Sequence, residues 1–180
     1  GCAFPPLMNS PQSVPDQTAL EALAAEVGAL LGANGQKLAT AESCTGGWVA
    51  QCLTAIAGSS DWFERGFVTY SNEAKQEMLG VARETLDRHG AVSVATAQAM
   101  AQGALRRSRA DWSVAITGIA GPTGGSPDKP VGTVCFGWAG PDGFTTTELC
   151  HLAGSRAEVR AQSVAYALHG VLQHAAILRA

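Results

Sequence analysis

Charge is scarce in this 180-residue chain: Asp, Glu, Lys and Arg together make up 15% of it, and the formal net charge is −3. A slightly acidic chain lacks the basic surface that broad attachment to nucleic acid requires, so nucleic acid is not an expected partner. No apolar run reaches the roughly 18 residues of a membrane helix, and no membrane partner is expected either. Residues 1–36 hold no Lys or Arg, which leaves no basic segment to open a secretory leader. The expectation is a cytoplasmic protein. Five cysteines (Cys2, Cys44, Cys52, Cys135 and Cys150) form no C-x-x-C pair; scattered in this way they read as reduced, mostly buried thiols. His89, His151, His169 and His174 show no ligand spacing, so no metal site is expected. The chain also lacks a Gly-Lys-Ser/Thr phosphate loop and a G-x-G-x-x-G fingerprint, which removes support for nucleotide-triphosphate hydrolysis and for dinucleotide redox chemistry. No cofactor is expected. A dense Asp/Glu cluster for divalent metal is missing too, which counts against a pyrophosphatase.

What is present suits one compact domain. Hydrophobic residues make up 46% of the chain, enough for a substantial core. Residues 1–17 carry four of the eight prolines without periodicity and read as a flexible N-terminal tail; residues 18–180 read as a single domain. Thr18-Ala-Leu-Glu21 has the form of a capping box opening an amphipathic helix, with Leu20, Leu23, Val27, Leu30 and Leu31 along one side and Asn34-Gly35 ending it. Further along, strands are predicted at 37–42, 66–70, 111–117, 131–138 and 144–151. Helices are predicted at 47–57, 72–79, 85–89, 93–109 and 155–177. Pro141-Asp142-Gly143 has turn composition between the last two strands. Alternating helices and strands with one late hairpin predict an α/β protein, a three-layer α/β/α sandwich around a mixed, mostly parallel sheet.

Three polar, glycine-bearing segments follow strands, where ligands gather in α/β sheets. The first is Thr40-Ala-Glu-Ser43-Cys-Thr45-Gly46-Gly47, which places a small nucleophile at a strand-to-helix turn. The N–H groups of Thr45, Gly46 and Gly47 are candidates to hold an oxyanion there. The alternative is a plain structural turn. The second is Tyr70-Ser-Asn72-Glu-Ala-Lys75. A lysine in a first helical turn opposes the helix dipole, and partial burial beside it lowers the amine's pKa toward that of a general base; the alternative is a lysine pointing into water. Ser71 is the competing nucleophile, but its place suits a helix cap. The third is the loop Thr117-Gly118-Ile-Ala-Gly121-Pro-Thr-Gly-Gly125, able to wrap a polar ligand or to serve as a flexible connection. Cys44 neighbours Ser43 but should face the opposite side, into the core. Glu42 is either a buried partner of polar groups or a solvated strand end.

These segments, with His89-Gly-Ala-Val-Ser93, Pro130-Val-Gly-Thr-Val134 and Gly154-Ser-Arg156 followed by Arg160, together resemble the CinA carboxy-terminal domain family over residues 18–175. The resemblance implies a nicotinamide-nucleotide amidase, which turns nicotinamide mononucleotide and water into nicotinic acid mononucleotide and ammonia in pyridine nucleotide recycling. It implies no metal for that step, and a homodimer. It places the nucleophile on Ser43, the basic lysine on Lys75, a relaying or orienting role on Tyr70 and a pocket position on Thr117. Asn72, Gly118, Gly121 and Arg156 become candidate substrate-binding residues, with the glycine loop and Arg156 for the phosphate. The rival expectation is a non-catalytic nucleotide-binding module of the same fold.

Overall fold

The computed structural model describes residues 14–177; most of the segment expected to be a flexible tail lies outside them. The first helix, α1, spans Gln17–Asn34. Its cap is Asp16, whose carboxylate accepts from the Ala19 N–H at 2.9 Å. The predicted capping box on Thr18 therefore lies inside the helix. Gly35, in the left-handed region, closes it as expected. There follow β1 (Leu38–Glu42), α2 (Trp48–Thr54), β2 (Phe63–Val68), α3 (Asn72–Leu79), α4 (Arg83–His89) and α5 (Val94–Arg106). The chain continues through β3 (Trp112–Gly118), β4 (Thr133–Ala139), β5 (Thr145–His151) and α6 (Arg156–Ile177).

The five strands form one sheet in the order β2-β1-β3-β4-β5. β1 is parallel to both β2 and β3, whereas β4 is antiparallel to both β3 and β5. Four strands thus share a direction and β4 opposes them, giving the expected mixed sheet. Two buried clusters lie on its faces. One gathers Leu20, Val27 and Leu31 of α1, Val49 and Leu53 of α2 and Val164, Leu168 and Val171 of α6 against Val114, Ile116, Phe136 and Trp138. The other packs Leu79, Leu86 and Met100, from α3, α4 and α5, on Ala41, Ala115 and Ala139. Val114 and Ile116 face one way and Ala115 the other, the period of two of a strand buried on both sides. The result is three layers, α/β/α.

This topology fixes where a ligand can sit. From β1 the chain crosses by α2 on one face to β2, then returns by α3, α4 and α5 on the opposite face to β3, on the other flank of β1. The winding reverses at β1, and such a switch point opens a crevice beyond the carboxyl ends of the strands. Ser43 is the first residue beyond that end of β1.

Candidate active site

The turn after β1 is held from several sides. The Ser43 N–H donates to the Ile116 carbonyl of β3 at 3.0 Å. Gly46 and Gly47 take φ of +60° and +103°, a left-handed region that glycine enters without steric cost. Glu42 is buried, with 1% of its surface exposed. Its Oε1 accepts from Thr45 Oγ1 at 2.6 Å, from the Gly47 N–H at 3.1 Å and from the Val49 N–H at 3.0 Å, and its Oε2 accepts from the Ala50 N–H at 3.0 Å. The positive end of α2 is therefore filled by the protein's own carboxylate. On the other side Arg160 of α6 donates to the carbonyls of Cys44 and Thr45, at 3.1 and 3.3 Å, and lies over the Trp48 ring.

Lys75 comes to this turn through the sheet. The Thr69 N–H, just past β2, donates to the Glu42 carbonyl at 2.8 Å, so the ends of the two parallel strands stay in register. Ser71 caps α3 through the Ala74 N–H at 3.0 Å, the role expected of it, and Lys75 lies one turn later. Its side chain is turned inward, 1% exposed, and Nζ lies 3.0 Å from Ser43 Oγ, 3.0 Å from the Thr69 carbonyl and 3.3 Å from the Tyr70 carbonyl. Burial pushes the lysine pKa down from its ordinary value, because a desolvated site disfavours the ammonium form. The expected meeting of Ser43 and Lys75 across the fold is what the structure shows.

A cavity of about 270 Å³ opens above this pair, near the lower end of ordinary ligand sites at roughly 300–1,000 Å³. Ser43, Tyr70, Asn72, Lys75, Thr117, Gly118, Gly121 and Arg156 line it, all of them expected there. Ala91, Val92, Ile119 and Thr123 line it as well; their types carry no chemical signal that a sequence could expose. Among the described residues no acidic side chain lines the cavity, while Lys75 and Arg156 do. Arg156 donates to the Gly121 carbonyl at 2.7 Å and to the Tyr70 hydroxyl at 3.2 Å. Thr117 Oγ1 donates to the Ala91 carbonyl at 2.8 Å.

One expectation is corrected here. Thr45, Gly46 and Gly47 do not line the cavity. The Gly47 N–H is bonded to Glu42 and the Gly46 N–H donates to the Ser43 carbonyl at 3.0 Å, so these two N–H groups are not available to an oxyanion; the Thr45 hydroxyl is bonded to Glu42 as well. The Tyr70 hydroxyl, in turn, meets Arg156, and Tyr70 reaches Lys75 through its main-chain carbonyl. The open question about Glu42 is answered by its burial.

The thiols are less exposed to chemistry. Cys44, Cys52 and Cys135 are free and buried, and burial pushes Cys44 up to about 12. Among the described residues no group of three or more His, Cys, Asp or Glu could hold a metal ion, and no helix is long and apolar enough to cross a membrane.

Comparison with known proteins follows the same lines. A family model described as the CinA C-terminal domain matches residues 20–175. The nicotinamide-nucleotide amidohydrolase PncC of Escherichia coli K12 is 57% identical over 151 residues, covering 84% of this chain and 92% of that protein. The PncC amidohydrolase of Enterobacter agglomerans is 51% identical over 154 residues, covering 86% and 94%. Among solved structures, the competence/damage inducible protein CihA from Agrobacterium tumefaciens aligns with a TM-score of 0.85 at 46% identity, over 90% of this chain and 98% of its own. With its residues matched almost from end to end, the chain belongs to the CinA C-terminal domain family.

Proposed function

We propose that this protein hydrolyses the carboxamide of nicotinamide mononucleotide, giving nicotinic acid mononucleotide and ammonia, with Ser43 as nucleophile and Lys75 as general base. One observation carries the mechanism: Lys75 Nζ, buried, lies 3.0 Å from Ser43 Oγ and within hydrogen-bond distance of two carbonyls. A neutral amine has two N–H donors and one lone pair. The Thr69 and Tyr70 carbonyls take the donors, which leaves the lone pair to accept the Ser43 hydroxyl proton. The relatives named as nicotinamide-nucleotide amidohydrolases supply the substrate.

In this scheme Ser43 Oγ bonds to the carboxamide carbon while its proton moves to Lys75. With the α2 N-terminus filled by Glu42, the tetrahedral oxyanion takes its N–H donors from the residues that line the cavity. Collapse breaks the C–N bond, Lys75 returns its proton to the departing nitrogen, and ammonia leaves a nicotinoyl ester on Ser43. Water then attacks that ester, giving its proton to Lys75, and the acid is released as Ser43 recovers the proton. The substrate's pyridinium charge disfavours an ammonium beside it, which keeps Lys75 neutral. Arg156 at the cavity rim pairs with the phosphate, with Asn72 and the loop from Gly118 to Gly124 around the sugar.

The test is ammonia release from nicotinamide mononucleotide, from the corresponding riboside and from free nicotinamide, each with a chelator present. Turnover of the mononucleotide far above the other two supports the assignment. Equal turnover of all three, or none by the folded protein, contradicts it.

A further inference from the structure

Among the described residues the fully buried carboxylate and ammonium-bearing side chains are Glu42 and Lys75, each 1% exposed, and they flank Ser43. Lys75 touches the nucleophile, whereas Glu42 has no part in the chemistry described above. Its four hydrogen bonds all end on the turn and the first residues of α2. Its main chain belongs to a different set of contacts. The Glu42 carbonyl accepts from the Thr69 N–H at 2.8 Å, the Thr69 carbonyl accepts from Lys75 Nζ at 3.0 Å, and Lys75 Nζ meets Ser43 Oγ at 3.0 Å. Glu42 thus joins a closed circuit through its backbone and anchors the nucleophile's turn through its side chain.

We propose that Glu42, with Thr45 as its hydroxyl partner, is a positioning residue for the Ser43–Lys75 pair. The carboxylate sets how the chain leaves β1 and enters α2, and thereby where Ser43 Oγ stands relative to Lys75 Nζ. A misplacement of about 1 Å between reacting groups can cost about 100-fold in rate, so a turn free to relax lowers turnover without touching the substrate. Two features set this role apart from ordinary capping. The carboxylate reaches α2 from a strand residue instead of from the position next to the helix. The shortest of its bonds, 2.6 Å, goes to a hydroxyl inside the turn. Charge-assisted bonds of that length are strong and directional.

The inference rests on Ser43 being the nucleophile, and its test separates the two. Steady-state ammonia release from nicotinamide mononucleotide is measured for the wild type, Ser43→Ala, Thr45→Val, Thr45→Ser and Glu42→Gln, at a temperature where circular dichroism shows each variant folded. Thr45→Val removes the hydroxyl at nearly constant shape, and Thr45→Ser restores it. The expected result is a kcat lowered about 10-fold or more in Thr45→Val, with KM within twofold of wild type, and recovery of most of that loss in Thr45→Ser. Glu42→Gln, where it folds, loses about 100-fold in kcat with the same KM. If Thr45→Val keeps the wild-type kcat, or loses activity through KM, the positioning role is wrong while the nucleophile assignment stands. If Ser43→Ala turns over like the wild type, the nucleophile assignment fails and the positioning role fails with it.

Discussion

Replacing Lys75 by Met makes its own burial measurable. Methionine nearly matches the lysine stem in length and is at home in an apolar site, while it cannot ionise. The wild-type amine is 1% exposed and its pKa is pushed down by desolvation. In the unfolded chain it titrates at the ordinary lysine value of about 10.5. Below that value, and above the depressed folded one, the unfolded state carries a proton that the native state lacks. Stability then rises with pH, with a slope of about 1.4 kcal/mol per pH unit for one proton. Above the unfolded value the contribution is complete, and as pH falls to the folded value it is lost. Lys75→Met has no such slope, and the loss of donors to the Thr69 and Tyr70 carbonyls costs it about 1–3 kcal/mol each at every pH. The assay is urea denaturation of both proteins from pH 6 to 10.5. The difference curve should climb in favour of wild type as pH rises, by about 1.4 kcal/mol for every unit of pKa depression. The pH at which the climb begins should coincide with the acid limb of wild-type kcat/KM, since both report the same amine. Parallel stability curves for the two proteins would refute the assignment of a buried, readily neutralised lysine.

Arg156→Ala should raise KM for the mononucleotide about 10- to 100-fold, the factor corresponding to about 1.5–3 kcal/mol for hydrogen bonds to a charged group, with a much smaller change in kcat; an unchanged KM in steady-state assays removes it from the phosphate site. Arg156→Lys should recover part of the loss, since it keeps the charge without the two-pronged donor geometry. Gly103→Ala tests the packing that seats α3: an added Cβ would stand 2.0 Å from the Leu79 carbonyl oxygen. Helix propensity favours alanine by about 1 kcal/mol, but displacing backbone costs more, and thermal denaturation should show a net loss of about 1–3 kcal/mol. Iodoacetamide at neutral pH should leave ammonia release intact, because Cys44 is buried and its thiol is pushed up to about 12, so almost no thiolate forms. Inactivation in step with Cys44 labelling in a mass spectrum would contradict that.

How far the sequence could be read depended on whether its signals were local. Helix α3 was legible from end to end, because Ser71 caps it and Gly80 stops it within one short segment. The start of α1 was misplaced because two caps compete there, and Asp16 reaches the first turn ahead of Thr18. Strand β2 begins at Phe63, three residues before the predicted Gly66, since its first residues carry no alternation and owe their conformation to pairing with β1. Ser43 and Lys75 were legible as residue types in motifs, but their contact spans 32 positions and depends on parallel pairing of β1 with β2. That the Gly47 N–H is already taken was illegible for a related reason. Nothing in the spacing says that Glu42 folds forward to take the N–H groups of Gly47, Val49 and Ala50. Arg160, matched to the family by position alone, proves to hold the carbonyls of the nucleophile's turn. An arginine approaching from the far end of the chain leaves no local mark.

The central claim is that a serine and a lysine, brought within 3.0 Å of each other by the sheet, split an amide. The most direct measurement is ammonia release from nicotinamide mononucleotide in the presence of a chelator by the wild type, Ser43→Ala and Lys75→Ala, with folding of each checked by circular dichroism. The account predicts turnover by the wild type and a loss of at least about 1,000-fold in each variant, as removal of an essential nucleophile or base produces. Substantial turnover in either folded variant would contradict it.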